Sequence, residues 1–392
     1  MDEHAWWPTG VAQLSIEEAY EDGELRTLFG RTNVWDYRPY LKASTWRKPP
    51  GTGIVWGEWV SEISTVEVLF IDERGIVLLL NNSYQVDIQP FAVGDDVSRL
   101  SRYEPWRKAL NNQPLHLPIG GWNVDGNDRI LIYHYHPIMS AINNQDQVME
   151  MVRGLGALHS SLATFETPNT ERRWNDRLKS IEDVLKTKTM WRAPHSSSTV
   201  GLPRLHLSLD RVVDIDGVKT FVPLSRPLAE HLLCQSDRLP SLASLMLLER
   251  QWAVSEVLKE HHRQSLLQTW SDSCPSTWSS PSALSTVRGG AWVWRYHATL
   301  LELAQATAFG DENAVTRCKA WLQDVSRLQA HLGTLRMWKS GQWIGVTSLL
   351  VAFFSSRMDA LSSTQSLLLT VLGGVIIVAS NAIYRFKDPK PY

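Results

Sequence analysis

LHLSLDRVVDIDGVKTFVPLS, residues 205–225, is the stretch on which the reading of the fold turns. Asp216 and Gly217 link two apolar, β-branched runs. An Asp-Gly pair in that position is a strong hairpin signal, because both central residues of the favoured two-residue turn take positive φ. Around this hairpin the chain reads mostly as helix. Upstream, residues 145–165 carry apolar side chains at helical spacing. Residues 170–187 form a second, charge-rich helix, and RAPHSSSTVGLP (192–203) is a loop. Downstream, long helical stretches occupy 227–270. The Ser/Pro-rich segment SDSCPSTWSSPSALS (271–285) interrupts them, and a last helix over 312–337 shows apolar residues three and four apart.

Further upstream, strand signals dominate. STVEVLF (64–70) and GIVLLL (75–80) flank IDERG as a hairpin. Residues 95–110 read as a helix, and RILIYHYH (129–136) as a strand ending at Pro137. TWRKPPGTG (45–53) is a loop. SIEEAYEDGELRTLF (15–29), with its acidic first turn, is a short helix.

Composition excludes several function classes. The net charge is −2 and the pI about 6.6, so there is no basic face for nucleic acid. The first residues, MDEHAWWPTG, lack the basic-then-apolar pattern of a secretory signal. Cys234, Cys274 and Cys318 are far apart, which suits reduced thiols in a cytosolic domain rather than a disulfide framework or a zinc site. The 18 tryptophans are scattered and follow no repeat. They read as core or interface residues.

The C-terminal fifty residues carry two apolar runs, QWIGVTSLLVAFFSS (342–356) and SLLLTVLGGVIIVASNAIY (366–384). About 20 residues cross a bilayer as a helix, so the second run suffices and the first needs its flanks or a tilt. Arg336 and Lys339 precede the pair, Arg385, Lys387 and Lys390 follow it, and Arg357 alone is basic in the link. This predicts a two-pass transmembrane hairpin with the soluble domain and both termini on the cytoplasmic side. Trp338, Trp343 and Tyr384 fall near the interfaces, and Gly373 and Gly374 could permit close helix packing. Membrane lipid is then one partner.

The order of elements carries a resemblance. Hairpin, helix, strand, helices, small hairpin and further helices resembles the two-lobed protein-kinase-like fold, including its aminoglycoside-phosphotransferase-like branch, over roughly residues 55–335. LPIGGWNVDGNDRILIYHYHP (117–137) looks like the last two strands of the small lobe and the hinge. DQVMEMVRGLGALHS (146–160), ending in Leu158 and His159, is similar to the first long helix of the large lobe. Residues 205–225 resemble the catalytic loop, its hairpin and the metal-binding segment. The resemblance implies an α+β chain in four parts: a Trp-rich extension (1–54), a mainly β small lobe (55–138), a mainly α large lobe (139–338), and the transmembrane hairpin with a short basic tail (339–392).

Phosphoryl transfer in that family needs a small-lobe lysine, metal-holding Asp and Asn, and an Asp at the attacking hydroxyl. The resemblance places the lysine on GIVLLL, where Leu78, Leu79, Leu80 and Asn81 stand instead. Two residues after His206, the catalytic aspartate position holds Ser208. The loop is about three residues short, which puts Asp210 at the metal-binding asparagine. Pro223 occupies the metal-binding aspartate position. GTGIVWG (51–57) is the best match to a glycine-rich loop. The resemblance therefore implies a pseudokinase: a membrane-anchored binding, scaffold or regulatory protein facing the cytosol, with a protein partner, no bound cofactor, no metal and no nucleic acid. Two alternatives stay open. One is a divergent active kinase, for a small molecule or a protein, using Asp210, Asp214 or Asp216. The other is a structural subunit of a membrane complex with an unrelated soluble fold.

Other constellations read more plainly. His206 and Asp210 make an H-x-x-x-D pattern with no acyltransferase context around it. His134 and His136 alternate on one strand face without a third metal ligand. His261 and His262 lie on a polar helix. Asp214 and Asp216 suit turn chemistry. ERRWNDRLKSIEDVLK is a solvated charged helix or a partner face.

Overall fold

The computed structural model describes residues 24–387, apart from 73, 140–141, 143, 169–170, 188–199, 235–237, 287–288 and 359. The helix expected over 15–29 begins outside these residues. Its described end is instead a hairpin of β1 (Glu24–Thr27) and β2 (Gly30–Asn33). The 192–203 loop lies mostly outside them.

Six strands build the first lobe: β3 (Ile54–Gly57), β4 (Val66–Asp72), β5 (Gly75–Leu80), β6 (Tyr84–Ile88), β7 (Gly120–Val124) and β8 (Asn127–His134). They form one antiparallel sheet in the order β3-β7-β8-β6-β5-β4. Between β6 and β7 lie α1 (Asp96–Arg102) and α2 (Glu104–Leu110). They replace the single helix expected over 95–110. Pro105 has no N–H to donate and its ring would clash with the carbonyl of Ser101 in a continuous helix, so the chain breaks at Tyr103, whose ψ is 103°, and Pro105 sits in the first turn of α2.

Side chains alternate across the sheet, and each face has its own cover. Register aligns Ile76 with Ile88 and Ile88 with Ile130. Ile130 and Ile132 are inaccessible to solvent on this face. Against it packs an aromatic cluster: Trp35, Tyr40 and Trp46 from the segment before β3, Trp59 just after that strand, and Trp122 of β7. Trp46 stacks on Trp59 at 5.3 Å. The indoles satisfy their N–H groups on backbone carbonyls, Trp46 on Tyr40 at 2.9 Å and Trp59 on Trp46 at 3.0 Å. The other face presents Leu131 and Tyr133, which meet Val97 of α1 and Val213 and Val222 of the second lobe. That seam joins the lobes.

The second lobe holds α3 (Gln145–Ser161), α4 (Glu171–Leu185), β9 (Val212–Ile215), β10 (Val218–Phe221), α5 (Leu228–Leu233), α6 (Ser241–Val254), α7 (Arg263–Ser271), α8 (Pro281–Leu284) and α9 (Gly290–Phe309). The Asp-Gly hairpin is present. Asp216 and Gly217 take φ of 53° and 82°, and Asp214 Oδ1 accepts the Gly217 N–H at 2.8 Å. Leu155 sits in the core of this lobe with Trp174, Trp252, Trp270 and Trp294. Helix α9, not anticipated from the sequence, runs through the lobe and ends at Gly310, whose φ is 71°.

The helix expected over 312–337 and the first apolar run prove to be one helix, α10 (Glu312–Arg357), 46 residues long. At 1.5 Å per residue it spans about 69 Å. A link of 358–362 leads to α11 (Ser363–Lys387), which is long and apolar enough to cross a membrane. The two helices pack antiparallel. A side chain at Gly345 would meet Ile377 at 2.6 Å and the Gly373 carbonyl at 2.8 Å, while Gly374 faces open space. Trp343 is exposed, and Trp338 and Tyr384 are half-buried on the pair.

The close approach at Gly345 gives a test. Cysteines at Gly341 and Ser380, which face each other, are expected to cross-link readily, and the added substitution Gly345→Leu to abolish the cross-link by forcing the helices apart. The transition of the two lobes, read by near-ultraviolet circular dichroism, should stay within about 1 kcal/mol of the parent because Gly345 touches neither.

The candidate active-site cleft

The β4–β5 turn is aimed at the second lobe. Asp72 Oδ1 accepts the N–H groups of Arg74 (2.8 Å) and Gly75 (3.2 Å), which tightens the turn. Gly75 has φ of 152°, and a Cβ there would lie 2.0 Å from the Ile88 carbonyl, so no other residue fits. The Arg74 side chain then crosses between the lobes. Its Nη1 lies 3.2 Å from Asp210 Oδ2, and its Nη2 donates to Ser208 Oγ at 3.4 Å. Ser208 in turn donates to Asp210.

A second arginine crosses in the opposite direction. Arg211, at the foot of β9, has a side chain only 3% exposed. Its Nη2 donates to Asp72 Oδ2 at 3.2 Å, its Nη1 lies 3.7 Å from Asp87 Oδ1, and its guanidinium sits 4.2 Å from the centre of the Phe70 ring. Asp87 also accepts from Gln85 Nε2 at 2.9 Å. Two arginines and three carboxylates thus fill the space between the β4–β5 turn, β6 and the 205–211 loop. Burial pushes the Asp87 carboxyl up in spite of Arg211. Burial also raises Asp210, but Arg74 and Ser208 outweigh it and hold that carboxyl below its ordinary value.

Beneath this cluster lies a buried ionic floor. Asp96 of α1 pairs with Arg226 at 2.9 Å and lies 3.8 Å from Arg204. Arg204 and Arg177 both hold Glu230 of α5, and Arg177 Nε donates to His297 Nε2 at 3.0 Å. Burial alone would raise Glu230, yet Arg204 and Arg177 depress it well below the carboxylate range. His206 and His297 are held neutral by burial, with pKa values lowered to about 3. Tyr133, at the seam, donates to the Pro223 carbonyl at 3.2 Å.

These positions revise parts of the sequence reading. GIVLLL is β5, the second strand of the sheet's first hairpin; the strand before the helix pair is YQVDI (β6), which sequence reasoning passed over. It carries Gln85 and Asp87, so no lysine enters the cleft from either strand. GTGIVWG runs into β3 at the far edge of the sheet, and the turn that reaches the second lobe is 72–75. Ser208 and Asp210 are in the cleft. His206 lies below it and hydrogen-bonds to neither Asp210 nor any other described residue through its ring. Asp214 and Asp216 are exposed at the hairpin turn. His134 and His136 are joined at the hinge by His116, whose Nε2 lies 2.9 Å from the His134 carbonyl and whose ring centre lies 5.1 Å from that of His136. The Tyr135 N–H of the hinge donates to the Ser83 carbonyl at 2.8 Å. Arg74, Arg211 and His116 were the residues missed. Their hydrogen-bond partners across the cleft and hinge lie 18 to 139 positions away in sequence, where no local signal exists.

No protein-family model matches the chain, and no curated protein matches it. Solved structures do. A glucosamine kinase in complex with glucosamine, ADP and inorganic phosphate is 11% identical, with a TM-score of 0.41 over 77% of this chain and 84% of that one. The GDP and kanamycin complex of APH(2")-IIia is also 11% identical, with a TM-score of 0.41 over 68% and 94%. A putative fructosamine-3-kinase from Thermobifida fusca is 14% identical, with a TM-score of 0.36 over 67% and 94%. These likenesses concern the fold alone.

The ionic floor gives a prediction with a sign. Glu230→Gln removes the carboxylate that the buried Arg177 and Arg204 share, and is expected to destabilise the lobes by about 3–5 kcal/mol at pH 7. Because the folded-state pKa of Glu230 is depressed, its contribution is complete above the unfolded value of about 4.3 and is lost progressively as pH falls from there toward the depressed folded value. Urea titrations at pH 7 and below pH 4 should therefore show the gap between parent and variant narrowing on the acid side.

Proposed function

We propose that this protein is a kinase-like binding module, held at a membrane by its C-terminal helices, that does not transfer phosphate. The observation that carries the reading is the charge pairing in the cleft. Transfer of a phosphoryl group is catalysed by positioned cations and metal ligands. Here the cleft's cations, Arg74 and Arg211, are engaged by Asp72, Asp87 and Asp210. A nucleotide would have to break buried ion pairs before finding a cation, and a divalent metal would have to displace arginines to reach a carboxylate. Gln85 and Asp87 on the strand before the helix pair, Ser208 in the loop and Pro223 after β10 leave out the lysine, the hydroxyl-orienting aspartate and the main metal ligand.

The membrane part rests on α11 and the end of α10. At about 37 Å, α11 exceeds the roughly 30 Å hydrocarbon core. Leu367, Leu368, Val371, Leu372, Val375 and Val378 are exposed along it. On α10, Ile344, Leu350, Val351, Phe353 and Phe354 are exposed in the same region. A pair of apolar helices with no cover among the described residues suits lipid. We read both as crossing, with basic Arg336, Lys339, Arg385 and Lys387 keeping the lobes and both termini in the cytosol. The partner is a protein recruited to the lobes.

Two measurements test this reading. Purified full-length protein with magnesium and radiolabelled ATP is expected to label neither itself nor added sugars, aminoglycosides or proteins. Activity that disappears on Asp210→Ala would establish the divergent active kinase instead. Protease protection on sealed vesicles is expected to leave the lobes and a C-terminal tag accessible on one side. Opposite sides would mean a single crossing by α11.

A further inference from the structure

A cavity of about 410 Å³ opens beside the cleft, between α6, α9, the first turns of α10 and the tip of the β4–β5 turn. That volume is within the range of small-molecule sites. Its walls are largely apolar, with Leu247, Leu301 and Phe309 among them.

The polar groups on the wall are unequally committed. The carboxylates are occupied. Glu302 accepts from Arg250 through Oε2 and from Arg317 through Oε1 at 2.8 Å. Glu230 is held by Arg177 and Arg204. Asp311 caps α10, accepting the Ala314 N–H at 3.0 Å. Both wall glutamines are oriented by backbone donors. Gln251 Oε1 accepts the Leu209 N–H at 3.1 Å, and Gln305 Oε1 accepts the Ala229 N–H at 3.1 Å. What each has left is its amide NH₂, and Gln305 Nε2 is buried without a partner. The His206 imidazole, in a residue only 7% exposed, also lines the cavity and makes no hydrogen bond among the described residues. Buried donors without partners call for an explanation. Arg250 and Arg317 add two positive charges that share the one carboxylate of Glu302.

The three arginines and three carboxylates on the wall balance one another, so the uncommitted capacity, within an apolar enclosure, is mainly that of neutral donors. We propose that this cavity binds a small organic anion, a carboxylate on an apolar body, with the carboxylate toward Gln305, Gln251 and Arg317 and the body against Leu247, Leu301 and Phe309. The inference deepens the reading of this chain as a binding module. It gives the helical lobe a ligand whose occupancy would be felt by Arg74, by α5 and by the root of α10, the helix that continues to the apolar hairpin.

The test uses full-length protein in nanodiscs and octanoate as the probe, with octylamine as the cationic counterpart. Octanoate is expected to raise the transition temperature of the lobes, as any ligand specific for the folded state does, and octylamine to leave it unchanged. Leu301→Trp fills the cavity and should abolish the octanoate shift. Ala306→Phe, from the next turn of α9, serves as the independent filling variant if Leu301→Trp does not fold. Arg317→Glu should weaken octanoate by about tenfold or more, the loss of one charge-assisted contact. The proposal is overturned if octanoate gives no shift, if octylamine gives an equal one, or if the shift survives the filling variant, which would place the probe on the hairpin or the bilayer. None of these readouts involves nucleotide, so their failure is distinct from the appearance of phosphotransfer.

Discussion

Arg211 is the contact on which the arrangement of the two lobes depends. It leaves the second lobe at the foot of β9, is almost inaccessible to solvent, and reaches two carboxylates of the first lobe, Asp72 on the β4–β5 turn and Asp87 on β6. A buried guanidinium is tolerated only when its charge is matched nearby, and removing one partner of such a group costs several kcal/mol. The pairing therefore fixes where the turn can sit. Once Asp72 is held, Arg74 is delivered to Asp210 and Ser208. The cleft between the lobes is closed by the chain's own charges, over an apolar seam of Val97, Leu131, Tyr133, Val213 and Val222.

The same constraint organises what lies below. Asp96 on α1 and Glu230 on α5 are matched by Arg226, Arg204 and Arg177, so the helix pair of the first lobe is tied to the helices of the second through buried ions as well as through the seam. Such networks are weak evidence for stability and better evidence for a single geometry, since each partner is costly to leave alone. The network is a joint between the lobes, and the free volume of the helical lobe lies beside it, against α6 and α9. The root of α10 borders that volume at Asp311, Ala314 and Arg317, and the same helix runs on, unbroken, into the apolar hairpin. Cavity, joint and long helix are thus mechanically continuous.

The sequence disclosed the elements with local chemistry. The Asp-Gly turn, the strand ending near His134 and the helix beginning at Gln145 with Asn144 as its cap all have short-range signals, and each is present. β6 was overlooked because YQVDI places Gln85 and Asp87 where a strand covered on both faces would be apolar. Those two residues are buried to meet each other and Arg211, a reason invisible locally. Helix α9 was overlooked for the opposite cause. Buried nearly all round, it has no polar face and so no helical period to read. Trp35, Trp46 and Trp59 gave no motif because their rings serve one another and the sheet, with their indole N–H groups on backbone carbonyls. In the cleft, Ser208, Asp210 and Pro223 could be named by position. What closes the cleft could not, since the carboxylates that Arg74 and Arg211 reach in the opposite lobe lie more than 120 residues away.

The most direct measurement is the distance between the lobes with and without nucleotide. Nitroxide labels at Glu67→Cys on β4 and Lys259→Cys after α6, both at exposed positions, report it by pulsed electron resonance in a background lacking the native cysteines. If the lobes are joined by their own ion pairs, the distribution is single and narrow, MgATP leaves it unchanged, and Arg211→Met broadens it. A distribution that is broad in the parent, or that narrows or shifts on adding MgATP, would mean that the cleft opens to nucleotide, and would contradict the closed joint on which the functional reading stands.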